Sequence, residues 1–430
     1  MDLSFVPAIV RVLIVFALIL TGIRFKIALG NAFCAGSVLL GLLFGMAPAP
    51  IARSALFSLL HPKTLSLAAV VCLILVLSHS MEAAGQMRRL LERFQGLVRH
   101  PGINLIVFPA IIGLLPMPGG AVFSAPMVKE LGGGRGLSPQ RLSFINYWFR
   151  HIWEYWWPLY PGVLLTTALA GIHLWRYVLF LFPLTLVAFA AGYWPLRAAS
   201  GGVRPAAAER PPVGPFLVEL TPVLGAIVLG LGLGSALSAW LSPRGVDVGK
   251  ELGLVGALAA MILWVWRHNR LPVERRRAIV VQPELFRMMY MVVGILVFQG
   301  ILDDSGAVEQ ISRDLLKMDI SLAAVSVILP FLVGGVAGIT IAFVGTTFPI
   351  LISLVDAFGQ GPWMMAYMML ATVSGFAGVL LSPLHLCLIL SNGYFGADLQ
   401  RVYRYLLPPC AALVAAGGLY FVLLRRVLAP

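Results

Sequence analysis

The 430-residue chain has the composition of a membrane protein, because 60% of its residues are apolar and its mean hydropathy is +0.92, far above soluble usage. The formal net charge of +13 does not indicate a nucleic-acid partner, since the basic residues lie in short loops between apolar runs, as the positive-inside rule predicts. The four cysteines contain no CxxC pair, so neither a disulfide framework nor a thiolate metal site is predicted. We expect a protein surrounded by membrane lipid, with no metal and no organic cofactor.

The first half of the chain, residues 1–197, predicts membrane spans near 6–23, 27–46, 64–81, 142–170 and 174–196. Asp2 precedes the first apolar run while Arg24 and Lys26 follow it, the reverse of the charge order of a signal peptide, so we expect a retained span. A stretch near 101–130 is apolar but broken by proline and glycine. Its two pieces are too short to be separate crossings and predict a re-entrant hairpin.

The second half, residues 215–430, has the same plan. Spans are predicted near 216–241, 250–267, 288–302, 362–391 and 403–424, with a second broken stretch near 319–355 as the matching hairpin. The polar, flexible segment 198–214 predicts a cytoplasmic linker between the halves. The predicted fold class is an all-α polytopic membrane protein with five transmembrane helices and one hairpin in each half.

The chain also repeats its most broken passage, since residues 76–115 return at 297–336. Like residues recur at an offset of 221 positions: Glu82 and Asp303, Gly85 and Gly306, Pro109 and Pro330, Gly113 and Gly334. Such weak internal symmetry is typical of transporters built from two halves, and chance coincidence of proline and glycine in two apolar segments is the alternative. Five spans per half is an odd number, so the second half would be inverted relative to the first.

The distribution of charge predicts the orientation. Most Lys and Arg residues fall in the loops that would share one side, which places both termini outside the cytoplasm of a multi-pass protein in the cell membrane. Amphipathic segments at 86–99 and 307–317 precede the two hairpins. They would lie along the interface as the connecting arms of a mobile domain.

The run NYWFRHIWEYWWPLYPG at 146–162 concentrates the polar chemistry. A helix that starts near Leu142 would carry Arg150 about 12 Å deep, near the midplane of the membrane. Glu154 would lie one turn away on the same face, so an internal ion pair is one interpretation. Binding of an anionic substrate by Arg150 is the other, since its planar fork matches a carboxylate. Pro158 and Pro161 should break this helix in its outer third.

Other residues are expected to join Arg150. The predicted substrate-binding set also contains Asn146, Gly119, Gly120, Ser124, Thr346, Thr347 and Ser382, and the predicted ion-coupling set contains Glu154, His151 and His385. Thr346 and Thr347 would suit a sodium ion or a carboxylate at a half-helix end, or simply cap the helix. The span 362–391 is weakened at 374–378 and again at Ser382, and the sequence does not decide which point unwinds.

The signatures PMPGGAVFSAP at 116–126 and NYWFRHIWEYWWPLYPG resemble an uncharacterised family of prokaryotic integral membrane proteins related to the ion-transporter superfamily. Its better-known relatives include gluconate permeases and divalent-anion symporters. The resemblance implies a scaffold domain, a transport domain that holds both hairpins, elevator-like alternating access and a homodimer. Those relatives carry Ser-Asn-Thr motifs at the hairpin tips, whereas LPMPGG at 115–120 has no hydroxyl and Ser124 is the nearest. A bound proton is therefore favoured over sodium.

The predicted function is secondary active transport of a small organic anion of the carboxylate type. A non-transporting membrane scaffold and an intramembrane enzyme that acts on lipid or peptide are the alternatives. The HIWE sequence at 151–154 lacks the second histidine that an HExxH zinc protease needs, and no GxSxG or P-loop sequence replaces it. We therefore do not expect an enzyme.

Overall fold

The computed structural model of the chain describes residues 6–98, 101–117, 119–133, 136–194, 211–244, 248–318 and 320–428. Across these ranges the chain is built of α-helices and contains no β-strand, which confirms the all-α prediction. The predicted linker 198–214 lies outside the described residues as far as position 210, and a helix begins at Val213.

Twenty α-helices lie in the described ranges. The first ten are α1 (Ala8–Arg24), α2 (Leu29–Leu43), α3 (Pro48–Leu60), α4 (Pro62–Ala83), α5 (Gln86–Phe94), α6 (Pro101–Ile112), α7 (Ala121–Gly133), α8 (Pro139–Arg150), α9 (Pro161–Leu169) and α10 (Leu174–Tyr193). The second ten are α11 (Val213–Leu241), α12 (Gly249–His268), α13 (Val273–Val280), α14 (Pro283–Asp304), α15 (Ala307–Lys317), α16 (Leu322–Ala337), α17 (Thr340–Ala357), α18 (Met364–Leu381), α19 (Leu386–Phe395) and α20 (Leu399–Val427). Several begin with proline, whose missing N–H is not needed in a first turn.

Eight helical stretches of the described chain are long and apolar enough to cross a membrane, so the protein is a multi-pass membrane protein. They are Pro62–Ala83, Leu174–Tyr193, Val213–Arg244, Gly249–His268, Val273–Asp304, Thr340–Ala357, Gly361–Phe395 and Leu399–Val427. The prediction of ten spans differs from this set. The spans predicted near 6–23 and 27–46 correspond to α1 and α2, which have only 17 and 15 residues.

Two further differences concern the broken segments. The predicted span 142–170 is divided into α8 and α9. In the second predicted hairpin, α17 has 18 residues and is long enough to cross by itself, so the expectation of two short pieces is wrong for this one. The helix continues through Pro349 because a proline removes one backbone bond only and α9, α14 and α18 pack around α17.

The two amphipathic arms have the same local design. The helix α5 follows Gly85, at φ 67°, and α15 follows Gly306, at φ 66°. This left-handed conformation favours glycine and lets the chain turn sharply out of α4 and α14. Each arm is fixed to the first helix of the other half. Arg89 of α5 makes two hydrogen bonds to the carboxylate of Glu219 in α11 at 2.8 and 3.2 Å, and Arg11 of α1 donates to Gln310 of α15 at 2.7 Å.

The two sets of ten helices make equivalent contacts. If α1 is taken as equivalent to α11, α2 to α12, and so on, several helix pairs in contact have an equivalent pair that is also in contact. For example, α2 packs on α14, and the equivalent helices α12 and α4 also pack on each other. The contact of α3 with α14 has its equivalent in that of α13 with α4, and the contact of α7 with α19 in that of α17 with α9. Close backbone approaches recur as well. A Cβ atom added to Gly113 would lie 1.9 Å from the carbonyl oxygen of Arg150, and one added to Gly334 would lie 2.2 Å from that of Gly375.

Candidate functional site

Four interruptions between helices meet around the side chain of Arg150. They are the connections 113–120 between α6 and α7, 151–160 between α8 and α9, 338–339 between α16 and α17, and 382–385 between α18 and α19. Residues from all four connections, or from the helix end directly beside them, contact one another there. The result is a polar centre inside an apolar protein.

The interruption after α8 begins earlier than the prolines predict. The ring Nδ1 of His151 lies 2.6 Å from the carbonyl oxygen of Tyr147, the acceptor that its own N–H would need in a continuing helix. That N–H donates to Trp148 instead, at 3.0 Å, and α8 ends at Arg150. The prediction of a break in the outer third is therefore corrected: it starts at His151, and Pro161 opens α9.

Arg150 is 3% exposed and is held by the first broken stretch. Its Nη2 donates to the carbonyl oxygen of Met117 at 2.5 Å, and Nη1 lies 3.3 Å from Nε2 of His151. A Cβ on Gly120 would lie 2.5 Å from Nη2, so glycine makes room for the guanidinium. The Nε atom is buried and has no hydrogen-bond partner among the described residues. The guanidinium therefore retains an unused donor.

The two predicted histidines face each other. Their Nε2 atoms are 3.1 Å apart, and the rings meet edge to face. Because a carbonyl oxygen can only accept, Nδ1 of His151 carries a proton and, in the neutral ring, Nε2 is the acceptor. Nδ1 of His385 is buried without a partner in the described part of the chain.

Glu154 approaches the same ring nitrogen of His151 as His385 does. Thr340, the first residue of α17, donates a hydrogen bond from Oγ1 to its carboxylate, and Oε2 is 3.7 Å from Nε2 of His151. No ion pair joins Glu154 to Arg150 within 4.0 Å in the described residues. The predicted pair on one helical face does not form, because the helix ends between the two residues.

A second polar cluster lies one turn back along α8. Ser124 donates to Oδ1 of Asn146 at 2.6 Å, while Nδ2 of Asn146 donates to Ser391 at 2.9 Å. Ser143 donates to Asn392 at 2.5 Å. The predicted residues Asn146 and Ser124 are therefore brought together, and they tie α7 and α8 to α19.

Ser382 and Gly119 also lie at the interruptions, whereas the two threonines do not. α18 continues through 374–378 and ends before Ser382, so the second candidate break is the one that unwinds. Thr346 and Thr347 lie inside α17 and donate to Ala342 and Phe343 of the same helix, at 2.8 and 2.7 Å. Their predicted place at a half-helix end is wrong, because α17 already begins at Thr340.

Aromatic side chains fix the interruption after α8. Trp153 donates to the carbonyl oxygen of Ala110 at 2.7 Å, Trp156 to Thr185 at 2.5 Å, and Tyr160 to the carbonyl oxygen of Gly113 at 2.7 Å. The segment therefore has a defined shape held by α6 and α10. The sequence analysis does not predict Thr340, Met117 or Ser391 as site residues. Thr340 could have been found, because a hydroxyl two residues after Gly338 is typical of a new helix start.

Three side chains have the composition of a metal site. One ligand atom from each of His151, His385 and Cys387 lies within 4.8 Å of the others. The guanidinium of Arg150 is 3.3 Å from the histidine nitrogen that would bind the ion, and a cation there would be repelled. The arrangement suits a proton or an anion better than a metal.

The fold and the centre define a class: an all-helical, multi-pass membrane protein whose interrupted helices surround a buried arginine. The chain belongs to the family described as protein of unknown function (DUF401), which matches residues 8–424. No curated protein sequence matches the chain.

Proposed function

We propose that the protein is a secondary active transporter of a small organic anion of the carboxylate type. The observation that carries the proposal is the unused Nε donor of Arg150, buried where four interrupted segments meet. A buried arginine is costly in a membrane, about 2.5 to 3.5 kcal/mol on insertion scales. A recurrent anionic ligand would offset this cost.

The helix ends around Arg150 favour the same charge. Within the described residues, α17 and α19 begin without a side-chain cap, at Thr340 and Leu386, and α7 begins directly after Gly120. Free amides and the positive end of the helix dipole stabilise anions. Arg150, Gly119, Gly120, Asn146, Ser124 and Ser382 form the proposed substrate site. Thr346 and Thr347, which lie inside α17, are left out.

We propose two inverted repeats, with α6–α7 as a re-entrant hairpin in the first, α16–α17 as its counterpart in the second, and both termini outside the cytoplasm. The duplicated helix order, the matching helix contacts and the two equivalent glycine approaches support this proposal. Elevator-like movement of the hairpin-bearing helices, in a homodimer, is the proposed form of alternating access.

Coupling to protons is favoured over sodium. Glu154, His151 and His385 form a chain of titratable groups beside Arg150, and no bound metal or organic cofactor is invoked. A scaffold role or an intramembrane enzyme remains the alternative to transport. Neither accounts for a duplicated arrangement of interrupted helices around a cation.

The test is a two-step screen. Purified protein is screened by thermal shift against organic anions at two pH values, with and without sodium, because a ligand that binds only the folded state raises the melting temperature. Anions that stabilise it are then followed in proteoliposomes. Stabilisation by carboxylates that Arg150→Gln removes would support the proposal, and the absence of any stabilising anion or flux would oppose it.

A further inference from the structure

A cavity of about 410 Å³ lies between α4, α9, α11 and α12, away from the hydrogen bonds of Arg150. This volume is in the range of small-molecule sites. Its walls are partly apolar, and its polar lining comes from side chains that include Thr167, Ser235 and Ser238. It is large enough to hold several water molecules.

Two lysines give the cavity its charge. Lys63 at the start of α4 and Lys250 at the start of α12 both line it; Lys63 is half-buried and Lys250 is exposed. Neither forms an ion pair within 4.0 Å in the part of the chain that the structure describes. Glu251 is the one carboxylate among its described lining residues. Unpaired lysines around a low-dielectric cleft raise the local concentration of anions.

Part of the cavity wall comes from the interruption after α8. Pro158 and Leu159 line it, and the next residue, Tyr160, is bonded to Gly113, whose backbone approaches Arg150. The interrupted segment therefore contributes both to the lining of the cavity and to the contacts around Arg150.

We propose that this cavity is a water-filled, electropositive vestibule that gathers small anions in front of the helix interruption. The inference rests on the proposed function for the route that the anion then takes, but the water and the charge of the cavity do not depend on it. The occupant proposed is a hydrated small anion. A lipid acyl chain with its phosphate on the lysines is the competing occupant.

Thiol labelling tests the vestibule without a known substrate. Ser235→Cys is placed in the full-length protein in lipid nanodiscs, and its reaction rates with an anionic and a cationic methanethiosulfonate are compared, each relative to free cysteine. Ala239→Cys is the control, since it is exposed on the same helix but does not line the cavity. The unsubstituted protein gives the background labelling of the four native cysteines.

We expect Ser235→Cys to react faster than Ala239→Cys and to prefer the anionic reagent. Lys63→Gln and Lys250→Gln should each lower the anionic-to-cationic ratio about tenfold, because one unit charge several ångströms away in water changes each rate about threefold and in opposite directions for the two reagents. Lys317→Gln, outside the cavity, should leave the ratio unchanged. Labelling as slow as at Ala239→Cys, or a ratio that ignores both lysines, would overturn the proposal. Because no flux is measured, its failure is distinct from a failure of transport.

Discussion

The Nε2 atoms of His151 and His385 lie 3.1 Å apart although 234 residues separate them in the chain. One histidine follows α8 directly and the other directly precedes α19, so the contact joins the interrupted segments of the two halves. Arg150 and Glu154 approach the same His151 nitrogen at 3.3 and 3.7 Å. A proton that moves among these residues changes the charge beside the proposed anion site.

Proton coupling predicts the effect of Glu154→Gln. Glutamine can still accept the hydrogen bond of Thr340 but cannot lose or gain a proton. Anion uptake by the unsubstituted protein should be faster when the side of the membrane from which the anion enters is acidic. Glu154→Gln should remove this pH dependence while anion binding persists. Flux is measured in proteoliposomes with an imposed pH gradient, and Glu130→Gln on the exposed face of α7 is the control. Flux driven by a sodium gradient at clamped pH would contradict proton coupling.

Replacement of Arg150 should be asymmetric. Lysine keeps the charge but loses the planar fork, so Arg150→Lys should bind the anion more weakly and still fold. Arg150→Gln should abolish binding, since truncating one member of a buried charged contact costs about 2 to 5 kcal/mol. Calorimetric or thermal-shift affinities check this, with Arg141→Gln at the other end of α8 as control. Unchanged affinity in Arg150→Gln would make the arginine structural.

The inverted arrangement predicts the sides of two reporters. A reporter fused after Pro430 should be active only in its extracytoplasmic form, and one inserted in the segment 198–214 should report the cytoplasm. If both positions report the same side, the second half is not inverted.

Close backbone packing predicts an intolerant glycine. Gly113→Ala would place Cβ 1.9 Å from the carbonyl oxygen of Arg150, a backbone atom that cannot rotate away, and overpacking costs about 1 to 3 kcal/mol. Gly232→Ala is the matched control, because nothing lies within 4 Å of its added Cβ and alanine favours a helix by about 0.5 to 1 kcal/mol. The melting temperature in detergent should fall for the first variant and stay or rise for the second. Equal melting temperatures would show that α6 and the segment after α8 separate easily.

Repulsion by Arg150 predicts that the histidine and cysteine cluster holds no tightly bound zinc. Elemental analysis of the purified protein should find far less than one zinc per chain, and Cys387→Ser should change this no more than Cys410→Ser at the other buried cysteine. Stoichiometric zinc that is lost only in Cys387→Ser would reverse the interpretation of this cluster.

The sequence predicts well what depends on spacing. Broken stretches near 101–130 and 319–355 correspond to α6–α7 and α16–α17. In the second stretch the break falls at Gly338, whose left-handed backbone ends α16, whereas Pro330 and Pro349 stay inside helices. The cost of a charge inside a membrane predicts Arg150 as a site residue, and the structure places His151 beside it and Glu154 beside His151.

What depends on tertiary contacts could not be predicted. The end of α8 at Arg150 follows from the ring of His151 on the carbonyl of Tyr147 and from the anchoring of Trp153 on α6, which no periodicity encodes. The sequence also predicts a helix end at Thr346 and Thr347, from their hydroxyls and the nearby Pro349. The surrounding helices instead keep α17 continuous there.

The connection between α6 and α7 touches Arg150 at both ends: Gly113 meets its carbonyl oxygen, and Met117 and Gly120 meet its guanidinium. The main chain and the side chain of Arg150 are thus both held by residues of one connection. If this connection moves together with Arg150, a positive charge moves with it, and such a motion would be measurable as an electrical signal.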